Sequence, residues 1–93
     1  MRFEWDEDKN IANRHKHGVS FEIAALVFED ESALVFEDDR NDYEEIREII
    51  IGRVQVEQCL MVVFTERAEE TFRIISARQA TKREAKLYYE QNR

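Results

Sequence analysis

Arg67 and Arg78 close two neighbouring strand-like runs, residues 60–67 and 72–78, and a helix-capping sequence opens shortly afterwards at Thr81. A guanidinium does not deprotonate in a protein, and its planar fork fits two oxygens of one anion. Two of them at one sheet rim would grip a phosphate; tied to Glu66 or Glu69, each would be an ordinary strand-end ion pair. A second set lies near the N-terminus, where Lys9, Asn13 and Lys16 or His17 recur at helical spacing. One helix face would then present them together, either to a ligand or to solvent. Trp5 and Phe3 flank the start of that helix and would either stack on an unpaired base or anchor the arm to the core.

The elements that must position these groups are legible from caps and periodicity. Residues 3–5 read as a short strand or extended arm, Asp6 caps a helix over about 7–17, and Gly18 stops it. Ser20 caps a second helix, in which Phe21, Ala24, Ala25 and Phe28 form one apolar stripe. Four strand runs follow: 33–36, 46 to about 55, 59–65 and 71–77. The connections between the last three are short, which predicts a meander of antiparallel strands. Thr81 and Glu84 form a capping box that opens a C-terminal helix to about Asn92. The expected fold is α+β: two N-terminal helices, a four-stranded antiparallel sheet covered by helices on one face, and a C-terminal helix.

Strand alternation predicts that Met61, Val63, Thr65 and Arg67 share a face. By the same rule Arg78 joins Phe72, Ile74 and Ser76, whereas Arg73, with Ile75 and Ala77, points the other way as a surface residue.

Composition narrows the class. Ninety-three residues, 43% hydrophobic and without proline, suffice for a single domain spanning 1–93. No apolar run approaches the ~20 residues of a membrane span, and the N-terminus has no signal-peptide core, so the chain reads as cytoplasmic. The single cysteine, Cys59, reads as a buried inert thiol. His15 and His17 point in different directions on a helix, so no metal site is expected and no cofactor is called for. Only Gly18 and Gly52 are present, which leaves no glycine-rich phosphate loop. The net charge is −7, yet ten acids against Arg40 and Arg47 fall between Glu29 and Glu48, and the remainder sums to +1. Such polarity suggests two surfaces with different partners, or simply a solvated acidic face.

Phe-Glu-Trp-Asp at 3–6, Lys9, Asn13, the run Lys-His-Gly-Val-Ser-Phe at 16–21, Ala24, Val27 and Phe28 resemble the start of the BrnT toxin family. In the same order, Ile51 and Gly52, residues 62–67, residues 73–78, Glu84, Tyr89 and Glu90 resemble its second half. The resemblance departs at residues 53–59, where a glycine-bearing hairpin turn is expected and no glycine occurs. It implies a RelE-like fold, a ribonuclease that arrests translation, and a co-encoded antitoxin with a ribbon-helix-helix-like DNA-binding domain through which the toxin dimerises.

Cleaving RNA through its own 2′-hydroxyl needs a base, an acid and cations against the charge on phosphorus. Arg67 and Arg78 suit the last role. His17, inside the resembling motif, is the preferred proton-transfer group, and Lys9 and Glu66 are further catalytic candidates; a helix-end cap is the alternative for His17. Lys16, Asn13, Trp5, Tyr88 and Lys82 are candidate RNA contacts. Tyr88 would stack a base or pack, and Glu84 is already committed to its capping box. A non-catalytic RNA-binding module, or a pure interaction protein using the acidic lobe, would use the same residues differently.

Overall fold

Asp6 ends the extended N-terminus and starts the first helix, because its carboxylate accepts the backbone N–H groups of Asp8 and Lys9, donors that the first turn cannot satisfy itself. Gly18 stops that helix at φ 72°, with its N–H on the Arg14 carbonyl. The computed structural model describes residues 1–40, 44–56 and 58–92. Its elements are β1 (Arg2–Glu4), α1 (Glu7–His17), α2 (Phe21–Ala25), a 3-10 turn (Leu26–Glu29), β2 (Leu34–Glu37), β3 (Glu48–Gln55), β4 (Gln58–Ala68), β5 (Thr71–Gln79) and α3 (Lys82–Gln91). The capping box of α3 is present, with the Thr81 hydroxyl on the Glu84 N–H and the Glu84 carboxylate on the Thr81 N–H.

The sheet has five strands in the order β1-β5-β4-β3-β2, not the four expected. β2 to β5 form the antiparallel meander, but the short arm is a strand that pairs parallel with β5, Arg2 opposite Thr71 and Glu4 opposite Arg73. Two helices intervene between β1 and the meander, which is what a parallel neighbour needs. At the β3–β4 turn Gln55 pairs with Gln58, with a register irregularity between Arg53 and Gln55. The turn expected to bear a glycine includes Glu57, which lies outside the described residues.

Helices cover both faces, not one. On one face α1, α2 and the 3-10 turn bury Val19, Phe21, Ala24 and Val27 against Ile50, Leu60, Val62, Phe64, Ile74 and Ala77. On the other, Ala85 and Tyr88 of α3 pack on Ile49, Ile51, Met61 and Val63. β4 is accordingly buried without interruption from Cys59 to Thr65. That continuous apolar run, where alternation would mark a strand with one wet face, is the local signal of two-sided burial.

Two polar side chains close the sheet where neighbouring strands fall short. β1 ends at Glu4, so the backbone of Ala77 lacks a strand beside it. Asn13 supplies the partner: its side-chain carbonyl accepts the Ala77 N–H at 3.2 Å, and its amide donates to the Ala77 and Val19 carbonyls, both at 2.8 Å. At the other side, Asp30 accepts the Arg53 N–H at 2.8 Å and the Tyr88 hydroxyl at 2.6 Å, joining the helix layer, β3 and α3 around the sheet edge. Burial alone would raise the Asp30 carboxyl, but the hydrogen bonds from Arg53, Tyr88 and Ser32 outweigh it and hold it below its ordinary value. Burial first, then the bond to Asp30, pushes the Tyr88 hydroxyl up to about 12.

This edge leaves no room at Gly52, where a Cβ would lie 3.0 Å from the Ala33 Cβ, the Asp30 Oδ2 and the Val27 Cγ1. Gly52→Ala should therefore lower stability by about 1–3 kcal/mol in urea unfolding, the usual cost of overpacking. The raised Tyr88 value has its own signature, since a group with a folded pKa above the unfolded one stabilises below the unfolded value and loses that contribution as pH rises. Between pH 10.0 and about 12 the protein should lose stability, and Tyr88→Phe should lack that component in unfolding curves.

Candidate functional site

The β4–β5 pairing decides where the arginines go. Consecutive strands of an antiparallel hairpin run in opposite directions, so their C-terminal ends lie at opposite ends of the sheet. Arg78 sits beside Met61, whereas Arg67 lies six residues further along β4, close to the turn. At ~3.3 Å per residue they are about 20 Å apart. The single anion pocket expected from both guanidiniums is not formed.

Arg67 falls in an irregularity between Glu66 and Ala68 and is half exposed, with its Nη1 3.3 Å from Glu45 and its Nε 3.8 Å from Glu4. Arg73, directly across from Glu4, shares that carboxylate at 3.6 Å, and Arg47 lies 3.6 Å from Glu45. Three arginines and two glutamates form one network, anchored where the buried Thr65 hydroxyl donates to the Ile46 carbonyl. Exposed pairs of this kind contribute little individually and exchange partners readily.

Arg78 is different. Its Nη1 and Nη2 donate to the two oxygens of Glu84 at 2.7 and 3.0 Å, and Nη1 also donates to the Gln79 carbonyl. The guanidinium is thus fixed end-on, about 29% exposed, and its Nε has no partner among the described residues. The hydrogen bond from Arg78 leads the causes that hold the Glu84 carboxyl below its ordinary value, against burial. Glu84 is therefore an ionised positioning group at neutral pH. The outer edge of the fork, Nε with the second Nη2 hydrogen, is what remains to meet an anion.

Arg73 was expected to face away from Arg78, and the structure corrects this. Val63 pairs with Ser76 but Phe64 with Ile74, so Ile75 is an extra residue in β5. A bulge of this sort resets the alternation. Beyond it Ala77 faces the α1–α2 layer, and Arg78, like Arg73, belongs to the α3 face. The two cation stations therefore lie along one strand on one face, about 16 Å apart at ~3.3 Å per residue.

The other candidates disperse. Asn13 is a buried sheet-closing residue and Tyr88 is a buried link to Asp30, so neither is presented to RNA as expected. Trp5 donates its indole N–H to Glu7 at 3.0 Å and packs edge-on against Phe21. Glu66 accepts the Glu70 N–H and lies on the face opposite Arg78. Lys9, Lys16 and Lys82 are exposed. His17 is half-buried in the last turn of α1, one turn beyond the Asn13 that bonds to Ala77. Among the described residues no three His, Cys, Asp or Glu side chains are grouped to hold a metal. The residues missed by the sequence reading are Arg73 and Arg47; the first is hidden by the bulge and the second by long-range docking of its segment.

Residues 5–84 match the family described as the ribonuclease toxin BrnT of type II toxin–antitoxin systems. The chain is also similar to the crystal structure of the Brucella abortus ribonuclease toxin BrnT, with a TM-score of 0.68 and 28% identity, covering 88% of this chain and 99% of that one. No curated protein matches it. The two-sided α+β layout, the arginine-bearing β4–β5 hairpin and a family match spanning most of its length agree: the chain belongs to the BrnT family of ribonuclease toxins of type II toxin–antitoxin systems.

Proposed function

We propose that this chain is the toxin of a toxin–antitoxin pair and an endoribonuclease that cleaves RNA in the cytoplasm through the 2′-hydroxyl, arresting translation until a co-encoded DNA-binding antitoxin, of ribbon-helix-helix-like type and the bridge of a toxin dimer, neutralises it. The observation that carries the catalytic reading is the Arg78 guanidinium, bound end-on to Glu84 at 2.7 Å and 3.0 Å with its other edge unused. A cation pre-oriented in this way stabilises charge as it develops on a phosphate without reorganising at the moment of reaction. Arg73 and Arg67 then act as the second station, holding phosphates further along the strand by exchange with Glu4 and Glu45. A backbone laid along the α3 face of β5 would meet both. This assigns the two arginines to different phosphates, in place of one shared clamp.

Proton transfer is assigned to His17, because an imidazole can both accept and donate a proton and the Asn13–Ala77 bonds hold its helix against β5 next to Arg78. Glu84, ionised and engaged, acts only by positioning Arg78. Lys9, Lys16 and Lys82 are exposed cations that add to attraction for RNA and not to chemistry.

Arg78→Ala should lower the rate of RNA cleavage by the purified protein by roughly 10²–10³, the size of losing one oriented charge donor, and Arg78→Lys should not restore it, since lysine lacks the fork. Full cleavage by Arg78→Ala defeats the assignment, while RNA retention without strand scission by the unaltered protein selects a non-catalytic binding module instead. His17→Ala should lower the rate of RNA cleavage by roughly 10²–10⁴, the size of losing one positioned proton-transfer group, while leaving RNA affinity within about threefold; unchanged cleavage removes His17 from the mechanism.

A further inference from the structure

On the face opposite the arginines, the helix layer stops short of one end of the sheet. The uncovered end forms a groove of about 380 Å³ whose floor and walls include Val35, Ile50, Phe64 and Phe72, with Phe28 beside them. Its surround is acidic: Glu48 and Glu66 line it together with Asp30. Glu37, two residues from Val35 on β2, stands directly across from Glu48 in the ladder. Like charges directly opposite each other on a sheet are destabilising. Neither Glu37 nor Glu48 has an ion-pair partner among the described residues. Val35 is 52% exposed, on β2, which among the described residues is an edge strand of the sheet.

An apolar trough bordered by unneutralised carboxylates repels RNA, so it is not an extension of the arginine face. It suits a protein segment with an apolar anchor and basic flanks. We propose that this groove is the docking site of the antitoxin, and that the antitoxin segment seated there carries an apolar side chain flanked by lysine or arginine residues that neutralise Glu37 and Glu48. The inference rests on the toxin–antitoxin reading above and adds to it the surface and the chemistry of the partner. Because the groove and Arg78 occupy opposite faces of the sheet, the two functions are separable by substitution.

The test measures affinity for the purified product of the reading frame adjacent to the toxin gene, together with RNA cleavage by the free toxin. Glu48→Lys turns the like-charge pair into an opposite-charge one and so does not impair folding, and Val35→Asp alters an exposed position. Each should weaken antitoxin binding by about tenfold or more, as loss of an interface anchor does, and leave cleavage unchanged. Glu48→Lys should also flatten the salt dependence of binding. Glu31→Lys, with the same charge change on an exposed residue outside the groove, should alter affinity by less than about threefold. Unchanged affinity in both groove variants, or an equal loss in Glu31→Lys, overturns the proposal while leaving the toxin reading intact. Failure of the unaltered protein to bind at all overturns the partner reading itself.

Discussion

Antiparallel pairing of β4 with β5 is the constraint from which the distribution of chemistry follows. It sends the two strand ends in opposite directions, placing Arg67 near the turn and Arg78 beside Met61, and no side-chain rearrangement short of re-pairing the sheet can bring them together. Within that constraint the extra residue at Ile75 restores Arg78 to the same face as Arg73. The pairing alone rules out the expected clamp, and a single inserted position sets Arg73 and Arg78 as a line of cations along one strand. A strand of nucleic acid, whose charges also recur along a line, is better matched by that arrangement than a lone phosphate would be.

The pairing could not hold its shape without something at its borders. β1 is three residues long and β2 four, so much of β5 and β3 would present bare backbone to its surroundings, a cost when the groups are buried. Asn13 mimics a strand at Ala77, and Asp30 does so at Arg53. Both also bind a second layer, Asn13 by reaching from α1 to β5 and Asp30 by accepting from Tyr88 of α3. In this BrnT chain polar side chains at buried positions are sheet components, which explains why an apparent RNA-facing stripe on α1 turned inward at Asn13.

Charge is sorted by the same architecture. The α3 face carries Arg78 with Glu84 and the network of Arg47, Arg67 and Arg73 with Glu4 and Glu45. The opposite face, where the helices end, carries the acidic-bordered groove. A net charge of −7 is thus compatible with a ribonuclease, because the field at each face is set by local residues and neutralised at short range by screening.

Much was legible in the residues taken alone, where the cause is local. Asp6, Gly18, Ser20 and the Thr81–Glu84 box set helix ends through hydrogen bonds within a few positions. The β-branched runs marked the meander, and the motif arginines with their flanking residues marked the family. What only the folded chain decided are relations between distant segments: that residues 2–4 join β5 as a parallel strand, that α3 covers the second face, that a bulge realigns Arg78 with Arg73, and that Glu84 holds Arg78 end-on. A bulge has no composition of its own, and a contact across 64 residues such as Asn13 with Ala77 leaves no periodic trace. Periodicity reports neighbours along the chain, whereas a site is made by neighbours across it.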